Sequence, residues 1–488
     1  MSVDDTYTKL DKARKDILKN LLEGRPSPPH GYDGNLSAQE LDAYLAAILP
    51  IIKEVKKEEI DPARPLLDLS KFCLNIDAFP EGIYPGINFI GCFFQTTANK
   101  IIRFKNVVIN GPLQLTGVSA TKNGNYIAFS FDRCKVMGKF QAMMPHNEIV
   151  ITNCHFAEAI FLNCLIKQLS DTNFHGSAKF LSRTQFLSHT ISGVVFEHDC
   201  YFSQVGSEGA LFPVGLICTR SSSGQQTEFR RKAVFDDVNF IGPVNLSGVP
   251  FSEASFRNCS FRKEADFSGV IFKGLADFSN ATFHAATNFS HVQFTNAPMF
   301  HEATLHSNTY FTNAKYGHHR SEEDWRAYRT LREKMGSRQA TVEESEFFVH
   351  EQRALAMVEL RSRRATNLVS ALLALFYWTC SRFGASMMLP FFWLVIVNGG
   401  AYCFYTLAGG VAASKEYRGG GWIIDLSPAQ GLMWQNLINP FGFFGREIPF
   451  TIETLEVARF SAMQSLISIA LFTLFVLAIR RRFRKTSE

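Results

Sequence analysis

The sequence predicts a mainly β solenoid, with helices before and after it and a pair of membrane-length apolar segments near the C-terminal end. Three observations predict this. Large apolar residues recur every five or six positions through the middle of the chain, 46 of the 488 residues are Phe, and two uncharged stretches of 21 and 20 residues lie beyond residue 386. Charged residues make up 19%, too few for a mostly disordered chain. Ten Cys without close spacing do not describe a disulfide scaffold. A net charge of +5 is small for this length and marks neither a nucleic-acid binder nor an acidic mimic.

Residues 1–84 read as a helical leader. Met1 to Lys19 carries alternating charges and no apolar run that would serve as a signal sequence, so the chain is expected to start in the cytosol. Residues 5–23 and 37–59 carry Leu, Ile and Ala at helical spacing, separated by a breaker run from Arg25 through Pro26, Pro28 and Pro29 to Gly31. Ser37 and Glu40 fit a capping box.

The repeat decides the middle of the chain. From Phe235 onward the large positions are Phe240, Leu246, Phe251, Phe256, Phe261, Phe267, Phe272, Phe278, Phe283, Phe289, Phe294, Phe300, Leu305, Phe311 and Tyr316. Two residues before each stands a mostly small one, among them Ala233, Val238, Ala254, Cys259, Ala265, Ala276 and Ala281. Neither a helix, with period 3.6, nor an ordinary strand, with period 2, produces this. A chain that turns a corner every five residues does, with both positions pointing inward and stacking coil over coil about 4.8 Å apart. At four sides per coil, the sixteen sides from residue 233 to 316 make four coils, roughly 20 Å tall. A weaker version includes Phe89, Phe94, Phe156, Phe161, Phe174, Phe180, Phe186, Phe196 and Phe202. It is regular over 229–316 and degenerate over 85–228, with register lost near 95–150 and 203–228, where Ser221 to Gln226 reads as a loop thrown out from the coils. Cys92, Cys154, Cys164, Cys200 and Cys259 fall on the small inward site, which favours buried packing over metal or redox work.

Ala265-Asp266-Phe267-Ser268-Gly269 and Ala276-Asp277-Phe278-Ser279-Asn280 match the Ala-Asp/Asn-Leu/Phe-x-x pattern letter for letter, and in this the sequence resembles the pentapeptide-repeat family. The resemblance implies a right-handed quadrilateral β-helix over 85–316, in a Phe-rich variant where many sides take six residues. Certain soluble members of that family mimic DNA and bind gyrase, which requires a strongly acidic rod. Residues 233–316 carry seven acids against five bases, which argues against that reading, and no nucleic-acid partner is expected.

Residues 317–385 read as a helical connector. Ser321, Glu322, Glu323 and Asp324 open a helix carrying Trp325, Tyr328, Leu331 and Met335. A second helix from about Thr341 runs through Phe347, Leu355 and Leu360 and becomes basic at Arg361, Arg363 and Arg364. Covering the open end of the coils is the expected work of the apolar stripe.

Residues 386–488 read as a two-helix transmembrane hairpin. Met387–Leu407 and Phe460–Ile479 are each about 30 Å long as helices, enough for a bilayer core. Arg361, Arg363, Arg364 and Arg382 precede the first, and Arg480, Arg481, Arg482, Arg484 and Lys485 follow the second. The positive-inside rule then places both termini in the cytoplasm, in a multi-pass protein of the cytoplasmic (inner) membrane. Tyr377-Trp378, the run from Ser381 to Ser386 and the run from Ala478 to Arg484 resemble a C-terminal module of membrane-bound pentapeptide-repeat proteins that has been likened to two-helix ion channels.

Between the spans, Ser427 and Pro428 open a short helix that stops at Pro440, and Phe441 to Gly445 is Gly-broken, so residues 427–445 have the outline of a re-entrant loop, with Trp434, Asn436, Asn439, Pro440 and Phe441 as its candidate residues. On the second span Ser461, Gln464, Ser465 and Ser468 share one face, a stripe that either lines a pore or holds helices together. No channel filter motif, P-loop, nucleophile elbow or zinc signature is present. His318-His319 and Asp236-Asp237 read as exposed turns, and no catalytic residue, cofactor or metal is assigned. The leading expectation is an oligomeric, ion-channel-like pore whose cytoplasmic β-helix binds a protein partner. The alternative is a non-conducting, membrane-anchored scaffold.

Overall fold

The computed structural model describes residues 3–23, 34–55, 65–70, 72–76, 78–90, 93–94, 100–116, 119–120, 127–144, 147–181, 184–188, 190–202, 216–220, 222–317, 321–362, 365–413, 427–438 and 450–484. Cys92, His318, His319, Asn439, Pro440 and Phe441 lie outside these residues. The chain divides into two compact units, 1–318 and 319–488.

The first unit is a β-solenoid of short parallel strands. Ala178, Cys200, Ala233, Ala254 and Ala276 succeed one another in register up the stack. Interior rings stack in columns: Phe235, Phe256, Phe278 and Phe300 have successive centroid separations of 4.9, 5.1 and 4.8 Å. Phe240, Phe261 and Phe283 form a second column, Phe267, Phe289 and Phe311 a third, and Phe251, Phe272, Phe294 and Tyr316 a fourth. Neighbouring columns meet edge to face, as between Phe267 and Phe278 at 5.5 Å, so the quadrupoles favour both contacts.

The corners have their own chemistry. Asp237, Asn258, Asn280 and Glu302 form one corner column with φ of 63°, 55°, 58° and 53°, a left-handed conformation that Asn and Asp tolerate better than most residues. At another column Asn245, Asp266 and Asn288 each accept, through a side-chain oxygen, the backbone N–H two residues on. This explains why the repeat wants a short polar residue before each large one. Gly176 is required by close approach, since an added Cβ would sit 1.9 Å from the Ala157 carbonyl oxygen.

Three expectations about this unit change. Parallel pairing already involves Gly34–Ser37 and Leu67–Asp68, inside the segment assigned to the leader. Residues 95–150 are not a lapse in the solenoid: the strands Lys100–Lys105, Ile127–Asp132 and Glu148–Thr152 stack in parallel, residue opposite residue. Their sides are long enough to alternate largely with period 2, and Ile and Phe fill the interior, with Ile102, Phe104, Phe129, Phe131, Ile149 and Ile151 buried. A search for period five cannot see such sides. The coils continue through the break at 203–228: the strand Leu216–Thr219 pairs in parallel with Thr190–Ser192 and with Val244–Asn245, and Phe202 stacks on Phe235 at 4.6 Å and Phe196 on Phe229 at 5.0 Å. The last residues of that segment fold back and do not project. Ser223 donates to Asp171, Gln225 to Asn173 and Gln226 to the Gly248 carbonyl.

Helices α1 (Val3–Leu22) and α2 (Ala38–Lys53) cover the first coils. The strand Gly34–Ser37 pairs in parallel with Phe72–Asn75, and the Ser37 N–H donates to Glu40 where α2 starts. Tyr44 packs its ring edge on Phe72, and Arg14 donates to Asp68 at 2.9 Å and to the Ser70 carbonyl at 2.8 Å.

The second unit holds helices α3 (Glu322–Gly336), α4 (Thr341–Arg361), α5 (Ala365–Ser381), α6 (Met388–Ala408), α7 (Pro428–Ile438) and α8 (Leu455–Arg484). Ser321 accepts from the Asp324 N–H, and Asp324 accepts in return, a reciprocal N-cap. Arg332 of α3 meets the buried Glu351 of α4 at 2.7 Å. The apolar helix α5 lies within the segment expected to be the connector. Two helices, Met388–Ala408 and Leu455–Arg480, are long and apolar enough to cross a membrane.

Candidate functional site

The polar stripe of α8 faces inward, into the contact between α6, α7 and α8. Gln464 is its centre and is 2% exposed. Its Nε2 donates to Asn398 Oδ1 at 2.7 Å and to the Met433 carbonyl at 3.3 Å. Its Oε1 accepts from the Tyr405 hydroxyl at 2.6 Å and from Asn436 Nδ2 at 2.9 Å. All four hydrogen-bonding positions of this amide are filled by the chain itself.

The rest of the cluster closes around it. Asn436 Nδ2 also donates to Ser461 Oγ at 2.8 Å, and Asn398 Nδ2 donates to the Leu394 carbonyl at 2.8 Å and to Ser468 Oγ at 3.3 Å. Ser465 turns back on its own helix and donates to the Ser461 carbonyl at 3.0 Å. Three of the four stripe residues, Ser461, Gln464 and Ser468, therefore join one network with Asn436 of α7. Trp434 does not join them: it is 43% exposed, beside an apolar groove of about 890 Å³ lined by Phe391, Val395, Gly399 and Phe472.

Asn398 and Tyr405 complete the cluster and were missed as site residues. The signal was present, since they are seven residues apart on α6 and so share a helical face, and Asn398 is an isolated amide within an otherwise apolar span.

The helix α7 descends between the other two. Ala429 and Leu432 pack with Ala401, Tyr405 and Val457, whereas Leu437, two turns on, packs with Leu394 and Leu471. The antiparallel pair Val411–Ala413 and Phe450–Ile452 joins the end of α6 to the start of α8.

Four of the inward Cys picked out by the repeat are packed in the solenoid interior. Cys154, Cys164, Cys200 and Cys259 are buried, and burial raises each thiol, to about 12 for Cys164, which disfavours the reactive thiolate. On the solenoid surface, His155 Nδ1 lies 3.1 Å from His175 Nε2, His175 Nδ1 lies 2.9 Å from Glu197, and Glu197 meets Arg230 at 3.4 Å. Asp236 and Asp237 bind the next coil, Asp236 accepting the Arg257 N–H and Asp237 accepting Asn258 Nδ2. Among the described residues no group of three His, Cys, Asp or Glu is placed to hold a metal ion.

Compared with known families, residues 225–271 and 267–315 match the model described as Pentapeptide repeats (9 copies). This stretch carries the regular part of the solenoid. No curated protein and no solved structure matches the chain.

Proposed function

We propose that the protein is a membrane-anchored docking scaffold: a right-handed, four-sided pentapeptide-repeat solenoid presented to the cytoplasm and held at the bilayer by α6 and α8. One observation carries the choice of scaffold over pore. Gln464 spends all its hydrogen-bonding capacity inside a single chain. A pore-lining amide has to be turned to water and shared between copies, whereas a buried, saturated one ties helices together where lipid offers no partner. The near-balanced charge of the regular coils favours a protein partner over a nucleic-acid one.

The oligomeric, ion-channel-like pore stands as the second reading, favoured by the descent of α7 between α6 and α8. Flux and stability measurements separate the two. Purified protein in liposomes is expected to pass no ions, and Gln464→Leu is expected to destabilise the bundle in mild detergent. The loss is about 1–3 kcal/mol, because Asn398, Asn436 and Tyr405 keep buried polar atoms without their partner. Ion flux that Gln464→Leu alters without a change in thermal stability would establish the pore and discard the scaffold.

A further inference from the structure

The helix α5 carries an apolar face that the protein leaves bare. Leu368, Val369, Leu372, Leu373 and Phe376 are 46, 59, 55, 64 and 49% exposed. At 3.6 residues per turn they fall within about 140° of arc. Cys380, one turn beyond Phe376 and on the same arc, is buried against Leu394 of α6 and Leu471 of α8. The stripe is therefore one surface, covered at its last turn by the two apolar helices and open over the turns before it. Elsewhere on the helix Ala371 is buried and Ser370 donates to Glu359 of α4 at 2.7 Å.

Charge frames this face. Arg361 ends α4, Arg382 follows α5, both exposed, and Arg353 lies 5.1 Å over the ring of Trp378. Arg363 and Arg364 stand immediately before the helix in sequence. The 17 residues of α5 span about 26 Å, less than the roughly 30 Å of a hydrocarbon core. An uncharged helix with basic groups at both ends and a one-sided apolar stripe suits an anionic leaflet surface. The same charges oppose a second copy on this face, since two copies would bring Arg clusters together.

We propose that α5 is a third membrane element, lying in the headgroup-to-acyl boundary of the cytoplasmic leaflet with Leu368, Val369, Leu372, Leu373 and Phe376 in lipid and the flanking arginines among anionic headgroups. This rests on the reading of α6 and α8 as spans. It fixes the connector to the membrane at the point where the chain enters the bilayer.

Site-directed spin labelling of the full chain tests it. In a Cys403→Ser background, which removes an exposed thiol, labels are placed at Leu373→Cys and, as a control on α6, at Val395→Cys, in vesicles of phosphatidylcholine and phosphatidylglycerol. Both labels are expected to collide more with oxygen than with a water-soluble nickel chelate, and Arg361→Gln with Arg382→Gln is expected to make the Leu373 label shallower. A Leu373 label that favours the chelate while the Val395 label favours oxygen overturns the proposal and leaves the spans standing. Spin–spin broadening at Leu373 that disappears on dilution with unlabelled chain also overturns it, by assigning the face to a second copy. A Val395 label that favours the chelate defeats the spanning reading and this inference with it.

Discussion

Asp277 shows what one position of the repeat does. It is 3% exposed, accepts the Ser279 N–H at 2.9 Å and the Ser279 hydroxyl at 2.6 Å, and meets Arg257 at 2.6 Å. The sequence made this residue legible as part of the Ala-Asp-Phe pattern, but not its partner Arg257, which comes from the preceding coil. Surface residues are less legible still. His155, His175, Glu197 and Arg230 have no shared motif, and only the stacking of coils brings them together. Burial, then the neighbouring His175 and Lys135, hold His155 below its ordinary value of 6.5, against a smaller opposite effect of Glu197. Glu197 is held below 4.5, chiefly by its hydrogen bond from His175. Both native pKa values are depressed, so the unfolded chain binds more protons in each window and stability rises with pH. The His155 contribution falls away as pH drops from 6.5 toward its folded pKa, and that of Glu197 as pH drops through its own. In His175→Ala, His155 should titrate closer to 6.5 without reaching it, since burial remains, and Glu197 should rise. NMR titration of the imidazole and carboxyl resonances reads both, and an unmoved Glu197 would contradict the hydrogen bond.

At the scale of the element, the unit of stability is the stacked ring. Phe278 touches Phe256 and Phe300 face to face at 5.1 and 4.8 Å, and Phe267, Phe272 and Phe289 edge to face. Phe278→Ala removes a fully buried ring where neighbouring coils cannot collapse, and is expected to cost about 3–5 kcal/mol. Because each coil contacts chiefly its neighbours, the loss should be local. Hydrogen exchange is expected to accelerate around residues 254–302 and to remain nearly unchanged around Phe104 and Phe131. Uniform acceleration would show that the stack unfolds as one unit. The regular coils were legible because identical rings at identical corners print their period directly into the sequence. The coils from Phe156 to Phe202 show the same period more weakly, and the long strands between 100 and 152 hide it, since they satisfy the same interior with alternating Ile and Phe. The lapse of the period at 203–228 hid a continuous stack, because periodicity is counted along the chain while stacking is counted across it. For the same reason the stripe Ser461, Gln464 and Ser468 was visible on one helix, but its complement on α6 and α7 was not, since sequence spacing reports a face and not what meets it.

Over the whole molecule, two cores close by different physics. In the solenoid, Phe, Ile and Ala leave water for a packed interior, and the driving force scales with apolar area buried. Among α6, α7 and α8 the outward side chains are themselves apolar, with Phe392, Ile396, Leu466 and Val476 exposed. On the proposed reading of α6 and α8 as spans, those residues gain nothing by association, so cohesion falls to close packing and to the hydrogen bonds around Gln464. Urea acts on the two unequally, because its effect follows the surface newly exposed to water. A titration in mild detergent should therefore abolish the strand signal in far-UV circular dichroism and hydrogen-exchange protection of the coils first. Much of the helical ellipticity should persist to higher urea, protected in the micelle. Gln464→Leu should lower the later transition and leave the earlier one in place, and Phe278→Ala should do the reverse. Coincident loss of both signals in the wild-type chain, moved together by either substitution, would show that the two units share one cooperative core.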